Sequence, residues 1–102
     1  MSLKKKYVKK DTVCKVTFRV PKKAAMGADS ICVVGDFNNW SIRHNPMKKL
    51  KSGDFTTTLD LPAGGKHQFR YFMDERQWEN DWAADDYVHS DFGNCDNSVV
   101  VV

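Results

Sequence analysis

The sequence lacks the features that would mark a disulfide-rich, zinc-binding, membrane or helical protein. Its three cysteines, Cys14, Cys32 and Cys95, are an odd number with no close pair, which fits neither a disulfide framework nor a zinc site. No apolar run is long enough to span a membrane or to serve as a signal region, and no segment shows a helical stripe. We therefore expect a cytoplasmic domain with no membrane partner, no metal and no cofactor.

Charge is small in sum but unevenly distributed. The net charge is +3, and five of the sixteen basic residues fall within the first ten positions. Without those five lysines, eleven basic residues face thirteen acidic ones, so the rest of the chain is mildly acidic. This balance argues against a nucleic-acid partner. It predicts a solvated basic arm over residues 1–11 and a single domain over 12–102.

Alternation with a period of two is the strongest structural signal. Apolar residues occupy every second position in 14–20 and 69–73, and in 55–61 with Thr57 as the exception; turn residues such as Pro21 and Pro62-Ala63-Gly64-Gly65 end the first and second of the three runs along the chain. Ile31–Val34 is apolar on both faces, which predicts a central strand. The pattern predicts an all-β fold, an antiparallel immunoglobulin-like β-sandwich of the early-set type with about six to eight short strands.

The three tryptophans lie in turn-like segments instead of apolar strands. Trp40 ends Gly35-Asp36-Phe37-Asn38-Asn39-Trp40, while Trp78 and Trp82 lie in Gln77-Trp78-Glu79-Asn80-Asp81-Trp82. A tryptophan with amide and carboxylate neighbours is typical of a loop. An indole with polar groups at its edge suits a sugar, which has a C–H face and a hydroxyl rim.

Several motifs, in order, extend this interpretation over nearly the whole of residues 12–102. They are the turn Gly35–Trp40, the hairpin Asp54–Gly64, the strand His67–Asp74, the pair Gln77-Trp78 and the ending Phe92–Val99. Together they resemble carbohydrate-binding module family 48. That family includes the glycogen-binding domain of the AMP-activated protein kinase β subunit and the N-terminal domain of isoamylase.

The resemblance implies a non-catalytic module that binds α-glucans such as glycogen, starch and maltooligosaccharides by aromatic stacking and hydrogen bonds. It could also target or regulate an associated enzyme, such as a separately encoded glycogen-active enzyme or a kinase. The site residues that it implies are the platforms Trp40 and Trp78, the donor Arg70, the apolar Phe92, and the polar Asn94, Asp96 and Asn97.

The chain departs from the family pattern at two places. Asp96 replaces an asparagine of the kinase-type domains, and an ionised carboxylate cannot donate. One extra residue precedes Trp78, which could shift its ring. Trp82 is left open between a third platform and a packing residue.

Two other functional classes compete with sugar binding. A glycoside hydrolase would need two facing carboxylates, and no pair stands out among the candidates Glu79, Asp81, Asp85, Asp86 and Asp91. An interaction module could instead dock an enzyme without binding sugar, with Val99–Val102 as an exposed strand edge. Exposed tryptophans would favour sugar, whereas inward-packed rings would favour a protein partner. Arg70 has a simpler alternative, as a surface residue paired with a carboxylate.

Overall fold

The computed structural model describes residues 1–90 and 95–102 and forms two antiparallel sheets. Strands are numbered along the chain. The first sheet has the spatial order β1 (Ser2–Val8), β2 (Val13–Val20), β5 (Phe55–Pro62) and β4 (Lys48–Lys49). The second has the order β3 (Ile31–Gly35), β6 (Lys66–Met73), β9 (Asp96–Val101) and β8 (Asp86–His89), with β7 (Gln77–Glu79) also paired to β6. The predicted antiparallel β-sandwich is confirmed.

The core lies between the two sheets and follows the predicted alternation. Cys14, Val16, Phe18 and Val20 of β2 are all fully buried, because every second side chain of a strand points to the same face. Phe18 meets Phe69 of β6 edge to face, with ring centroids 5.1 Å apart. The intervening residues of β6 therefore face away from the core.

Two strand predictions need correction. Residues Ser2–Val8, expected as part of a solvated arm, form the edge strand β1 and pair with β2 over its whole length. The strand expected to be central, Ile31–Val34, is part of β3 and lies at the end of the second sheet. Its outer edge is covered by backbone hydrogen bonds with the segment 45–47, so it is not left open.

The segment after β6 is more regular than its sequence indicates. Residues 74–97 give no clear periodicity, yet they contain the short strands β7 and β8. Cross-strand pairing fixes these strands, and neither is long enough to show a pattern of its own. The C-terminal strand β9 pairs with β6 over Ser98–Val101 and with β8 over Asp96–Val99, and the Val101 N–H on the β8 side donates to Asp85 Oδ2 at 2.7 Å. The prediction of an exposed edge at Val99–Val102 is therefore wrong for Val99–Val101.

Helical structure in the described ranges consists of single turns. The α-helix α1 covers Lys22–Ala25, and a 3₁₀ turn covers Asp36–Asn38. Within residues 1–90 and 95–102, no helix is long and apolar enough to cross a membrane. Among the described residues, Cys14, Cys32 and Cys95 form no disulfide; Cys14 is buried in the core, whereas Cys32 is only half-buried.

Candidate functional site

Along one edge of β6, the partner strand changes at Arg70. Along one edge, β6 pairs with β9 over Lys66–Phe69 and then with β7 over Tyr71–Met73, while β3 occupies the other edge. The flanking Phe69 and Tyr71 are buried, so the Arg70 side chain points to the outer face, as its position in the strand predicts. The junction of three strands therefore presents a cation on an open surface.

An open depression of about 450 Å³ lies on this face. Its lining residues come from five separate parts of the chain: Trp40 and Ile42, Arg70, Trp78, Ser90 and Asn97. The two indoles remain 39% and 43% exposed, respectively. The fold thus brings four of the predicted site residues, Trp40, Arg70, Trp78 and Asn97, to one place.

The turn that carries Trp40 depends on Gly35 and Asn38. A Cβ on Gly35 would lie 2.5 Å from the backbone oxygen of Gln68 and 2.6 Å from the Phe37 ring, so only glycine fits. The Asn38 Oδ1 accepts from the backbone N–H groups of Gly35 and Ser41, at 3.1 and 3.2 Å. The Asn38 side chain therefore stabilises the turn by bonding the backbone at both of its ends.

Trp40 itself has an unusual backbone conformation. Its φ is 57° and that of Asn39 is 56°, both in the left-handed region. A bulky residue in this region costs about 1–2 kcal/mol. The Trp40 N–H donates to the Gly35 carbonyl at 2.8 Å, which helps to hold the turn. A strained backbone that keeps an indole exposed is a reason to suspect function.

Asp36 and Phe37 join this turn to the sheet. The Asp36 carboxylate accepts from the Gln68 backbone N–H at 3.0 Å and lies 3.2 Å from His67 Nδ1. The Phe37 ring meets Phe18 of the core, with centroids 6.2 Å apart. Gly35, Asp36, Phe37 and Asn38 thus all help to hold the turn, whereas Trp40 contributes only its backbone N–H and leaves its indole exposed.

The loop with the extra residue before Trp78 has a defined conformation. The loop between β6 and β7 has positive φ at Asp74 (52°) and Glu75 (56°), and the Asp74 carboxylate accepts from the backbone N–H groups of Asp29 and Ser30. These bonds, that of Ser30 first, lower the pKa of Asp74. The strands leave the loop in register, with Trp78 opposite Phe72.

Arg70 is held by neutral groups, not by a carboxylate. Its Nε donates to Asn97 Oδ1 at 2.6 Å, and its Nη2 donates to Cys95 Sγ at 2.8 Å. Asn97 is itself 6% exposed and donates from Nδ2 to Gln68 Oε1 at 2.9 Å. No carboxylate among the described residues pairs with the guanidinium. Arginine has five N–H donors, so further donors remain for a ligand.

A second depression, of about 400 Å³, adjoins the first. Its lining residues are Arg70, Trp78, Glu79, Asn80, Trp82 and Cys95. Trp82 is 60% exposed, the most exposed of the three tryptophans. This exposure counts against a packing role for Trp82, one of the two alternatives left open by the sequence.

A buried carboxylate anchors the chain beside Trp82. Asp81 is fully buried; its two oxygens accept from Tyr71 Oη at 2.7 Å and from the Ala83 N–H at 2.8 Å. Its own N–H donates to Ser98 Oγ at 2.9 Å. Burial and the adjacent Asp81 charge raise the pKa of Tyr71 well above 10.0. Asp81 was a candidate for a hydrolytic carboxylate, but these contacts give it a structural role.

The remaining predicted site residues are not brought into the depressions by the described structure. Asp96 is on the opposite side of β9 from Asn97, and its Oδ1 lies 3.5 Å from His89 Nδ1. Phe92 and Asn94 lie outside the described residues, as does Asp91. Ile42 and Ser90 line the first depression although the sequence analysis did not single them out. Ile42, an apolar residue in a polar loop, was the one available signal.

Other acidic residues of the second half of the chain have partners of their own. Asp85 is ion-paired with Lys5 at 2.6 Å, and Asp86 Oδ1 accepts from the neighbouring Tyr87 N–H. Glu79 Oε1 accepts from Gln77 Nε2 at 2.8 Å. Within the part of the chain that the structure describes, no group of three or more His, Cys, Asp or Glu side chains is arranged to hold a metal ion.

Comparison with known proteins agrees with this geometry. Residues 22–102 match the family model described as the glycogen recognition site of AMP-activated protein kinase. The chain belongs to this family. The family match begins at Lys22, after β1 and β2, and it includes all of the residues that line the two depressions.

Relatives of this glycogen-recognition domain include the β-2 subunits of 5'-AMP-activated protein kinase from mouse, rat and human. Each is 37% identical over 76 residues, which cover 74% of this chain and 26% of the relative. The chain thus spans about a quarter of the length of the curated relatives that it matches.

Proposed function

We propose that this domain binds α-glucans without catalysing a reaction, at the depression formed by Trp40, Arg70 and Trp78. The observation that carries the proposal is the presence of two exposed indoles and a cation with free N–H donors in one open depression. Apolar surface that is exposed beside polar groups is expected at a ligand site. The family's description as a glycogen recognition site supports the same ligand.

The chemistry of a glucan fits these side chains. A pyranose ring places C–H groups on a face, and burying that face on an indole removes apolar surface from water and gains dispersion energy. Such a contact is worth on the order of 1 kcal/mol, and each hydrogen bond to a hydroxyl adds about 0.5–1.5 kcal/mol. Two platforms and a few hydrogen bonds on an open surface imply a Kd of about 1 μM to 1 mM.

The polar residues have different parts in this proposal. Arg70 donates to glucan hydroxyls with the N–H groups that Asn97 and Cys95 do not use. Asn97 is nearly buried and holds the guanidinium, so it acts as a positioning residue. The roles of Phe92, Asn94 and Asp96 remain predictions from the resemblance, and the position of Asp96 beside His89 makes it the weakest of the three.

Glycoside hydrolysis is not supported by the described carboxylates. It requires an acid and a second carboxylate on either side of the scissile bond. Asp81 is buried and fully bonded, and Asp85 is paired with Lys5. Among the described residues, Glu79 is the one carboxylate that lines the two depressions around Arg70, so no pair is formed there.

A second function, association with a kinase or a glycogen-active enzyme, is compatible with the first. The relatives named above are subunits of a protein kinase, which supports a partner protein for this domain as well. In this proposal the domain brings the partner to glycogen. Because β8 and Asp85 already occupy that side of Val99–Val101, the partner would have to bind another surface than the predicted edge.

Calorimetric titration with β-cyclodextrin and maltoheptaose tests the proposed function. We expect saturable binding by the wild type and loss of binding in Trp40→Ala and Trp78→Ala, with unchanged thermal unfolding. Tyr7→Ala is a matched control, because Tyr7 is also an exposed aromatic residue but lies on β1, outside the depressions. No heat of binding at millimolar sugar would overturn the proposal and give priority to a protein partner.

A further inference from the structure

We propose that Trp82 forms a third contact surface for the same α-glucan, so that a long chain extends from the first depression past Trp78 into the second. This inference rests on the proposed function. It defines the ligand as a glucan longer than the Trp40–Trp78 site alone would hold. The argument depends on continuity, exposure, a fixed backbone and the chemistry of the lining.

The two depressions form one continuous surface. Both are lined by Arg70 and Trp78, with Trp40 on one side and Trp82 on the other. One face of Trp78 lies against Phe72, and the indole contributes to both depressions. A ligand that occupies the first depression therefore reaches the second without crossing a gap between separate sites.

The exposure of Trp82 is itself an argument for a ligand. With 60% of its surface exposed, it leaves more indole in water than Trp40 or Trp78. Large aromatic side chains are usually well buried, and an exposed one beside a lined depression is a common mark of a binding surface. Stacking a sugar on this indole would remove apolar surface from water in the same way as at Trp40.

The backbone on both sides of Trp82 is fixed before any ligand arrives. The buried Asp81 holds the chain to Tyr71 and Ala83, and Tyr87 Oη donates to the Asp81 carbonyl at 2.6 Å. Asn80 donates from Nδ2 to the Asp96 carbonyl at 2.8 Å. A side chain carried on such a backbone needs less ordering on binding, which raises affinity for a given contact.

The polar lining of the second depression suits hydroxyl groups. Arg70 can donate, and the Glu79 carboxylate can accept through the oxygen that does not bond Gln77. A sugar hydroxyl both donates and accepts, so a neutral polyol can satisfy both partners. An indole with a donor and an acceptor at its edge is the same combination as in the first depression.

Calorimetry with maltooligosaccharides of increasing length tests the inference. For the wild type, we expect affinity to rise with chain length until the chain reaches Trp82. Trp82→Ala should bind short chains like the wild type but lose about fivefold to tenfold for the longest chains, the equivalent of one stacking contact. Trp82→Phe, which keeps an aromatic face, should recover part of the loss, and thermal unfolding should confirm that both variants are folded.

Three results would count against Trp82 as an extension of the site. An equal loss at every chain length would place Trp82 in the primary site, and no loss at any length would remove it from the ligand contact. A wild-type affinity that does not depend on length would also overturn the inference, even though sugar binding itself stood. Absence of binding by the wild type would overturn the proposed function as well, so the two failures are distinct.

Discussion

Trp78 of β7 lies over Phe72 of β6, with ring centroids 4.4 Å apart and ring planes tilted by 31°. The two residues are directly opposite across the strand pair, and Phe72 is almost buried. One indole face is thus supported by the sheet. Because stacked aromatic rings attract each other, Phe72 fixes the orientation of the Trp78 indole. Phe72 itself has no contact with the ligand in this proposal.

We predict that Phe72→Leu weakens glucan binding without removing a ligand contact. The aromatic pair is worth about 0.5–1.5 kcal/mol, so the affinity for maltoheptaose should fall by about twofold to tenfold. Phe72→Tyr keeps the ring and should bind as the wild type does. Calorimetry measures both affinities; equal binding by the leucine and tyrosine variants would show that Trp78 needs no support from Phe72.

Arg70 should contribute by donating hydrogen bonds. Arg70→Met removes all its donors, and we expect a loss of affinity of about tenfold or more, since a charged hydrogen bond contributes about 1.5–3 kcal/mol. Arg70→Lys retains a cation with three donors and should recover part of this loss, although it cannot form the fork that joins Asn97 and Cys95. If the methionine variant binds like the wild type in the same titration, Arg70 does not contact the glucan.

The buried pair of Tyr71 and Asp81 should make stability depend on alkaline pH. The folded-state pKa of Tyr71 is raised above 10.0, so its contribution to stability is complete below about pH 10 and decreases as the pH rises further. Tyr71→Phe should lower the free energy of unfolding at neutral pH by about 1–3 kcal/mol, because Asp81 loses a donor. Urea unfolding between neutral pH and pH 11 should show a smaller decrease in the free energy of unfolding for the variant than for the wild type. Some decrease is expected in both proteins, because their lysines titrate in this range. Equal decreases in the two proteins would contradict the prediction.

Part of the loss of folding stability at low pH should come from protonation of Asp54, which directly precedes β5. The carboxylate accepts from the Lys22 N–H at 2.8 Å and from Arg19 Nε and Nη2, and these contacts, the backbone bond first, lower its pKa. A lowered folded-state pKa gives stability that is present above the ordinary value of 3.8 and is lost as the pH falls below it. Asp54→Asn should reduce the loss of stability between pH 5 and pH 2, as followed by circular dichroism; a curve that merely shifts in parallel would argue against Asp54.

Deletion of residues 1–11 tests whether 12–102 forms a complete domain, as the sequence indicates. Leu3 packs against the core, β1 covers the edge of β2, and Lys5 pairs with Asp85. We expect a clear drop in melting temperature, whereas Lys5→Gln alone should cost less than about 1 kcal/mol, since the pair is partly exposed. Sugar affinity should persist in the folded truncated protein, because the lining residues come from later segments. An unchanged melting temperature would establish the boundary predicted from the sequence.

Much of the site could be predicted from sequence because its motifs are local. The requirement for glycine at position 35 and the bonds made by Asn38 all arise within a few residues of Trp40. The outward direction of Arg70 follows from the period of a strand and the buried neighbours on either side. Such relationships depend on the chain next to the residue, which is what a sequence records directly.

Other features could not be predicted because they depend on which strands become neighbours. The lysine-rich start of the chain is an ordinary solvated segment by composition, and only pairing with β2 makes Ser2–Val8 a strand. Asp81 is a carboxylate in a polar segment, and only the approach of Tyr71 and Ser98 from other strands makes its burial possible. Asn97 was predicted to contact sugar; the structure also gives it a partner within the sheet, the Arg70 guanidinium, which the sequence did not indicate.

The sequence by itself determined the period of the strands, the turn at Trp40 and the family, since each is recorded in the order of neighbouring residues. The tertiary structure alone decided that Trp40, Arg70 and Trp78 share one depression and that Trp82 continues it. The reason is physical: a strand pair brings together residues that are far apart in the chain, and the change of partner along β6 at Arg70 has no signature in any single segment.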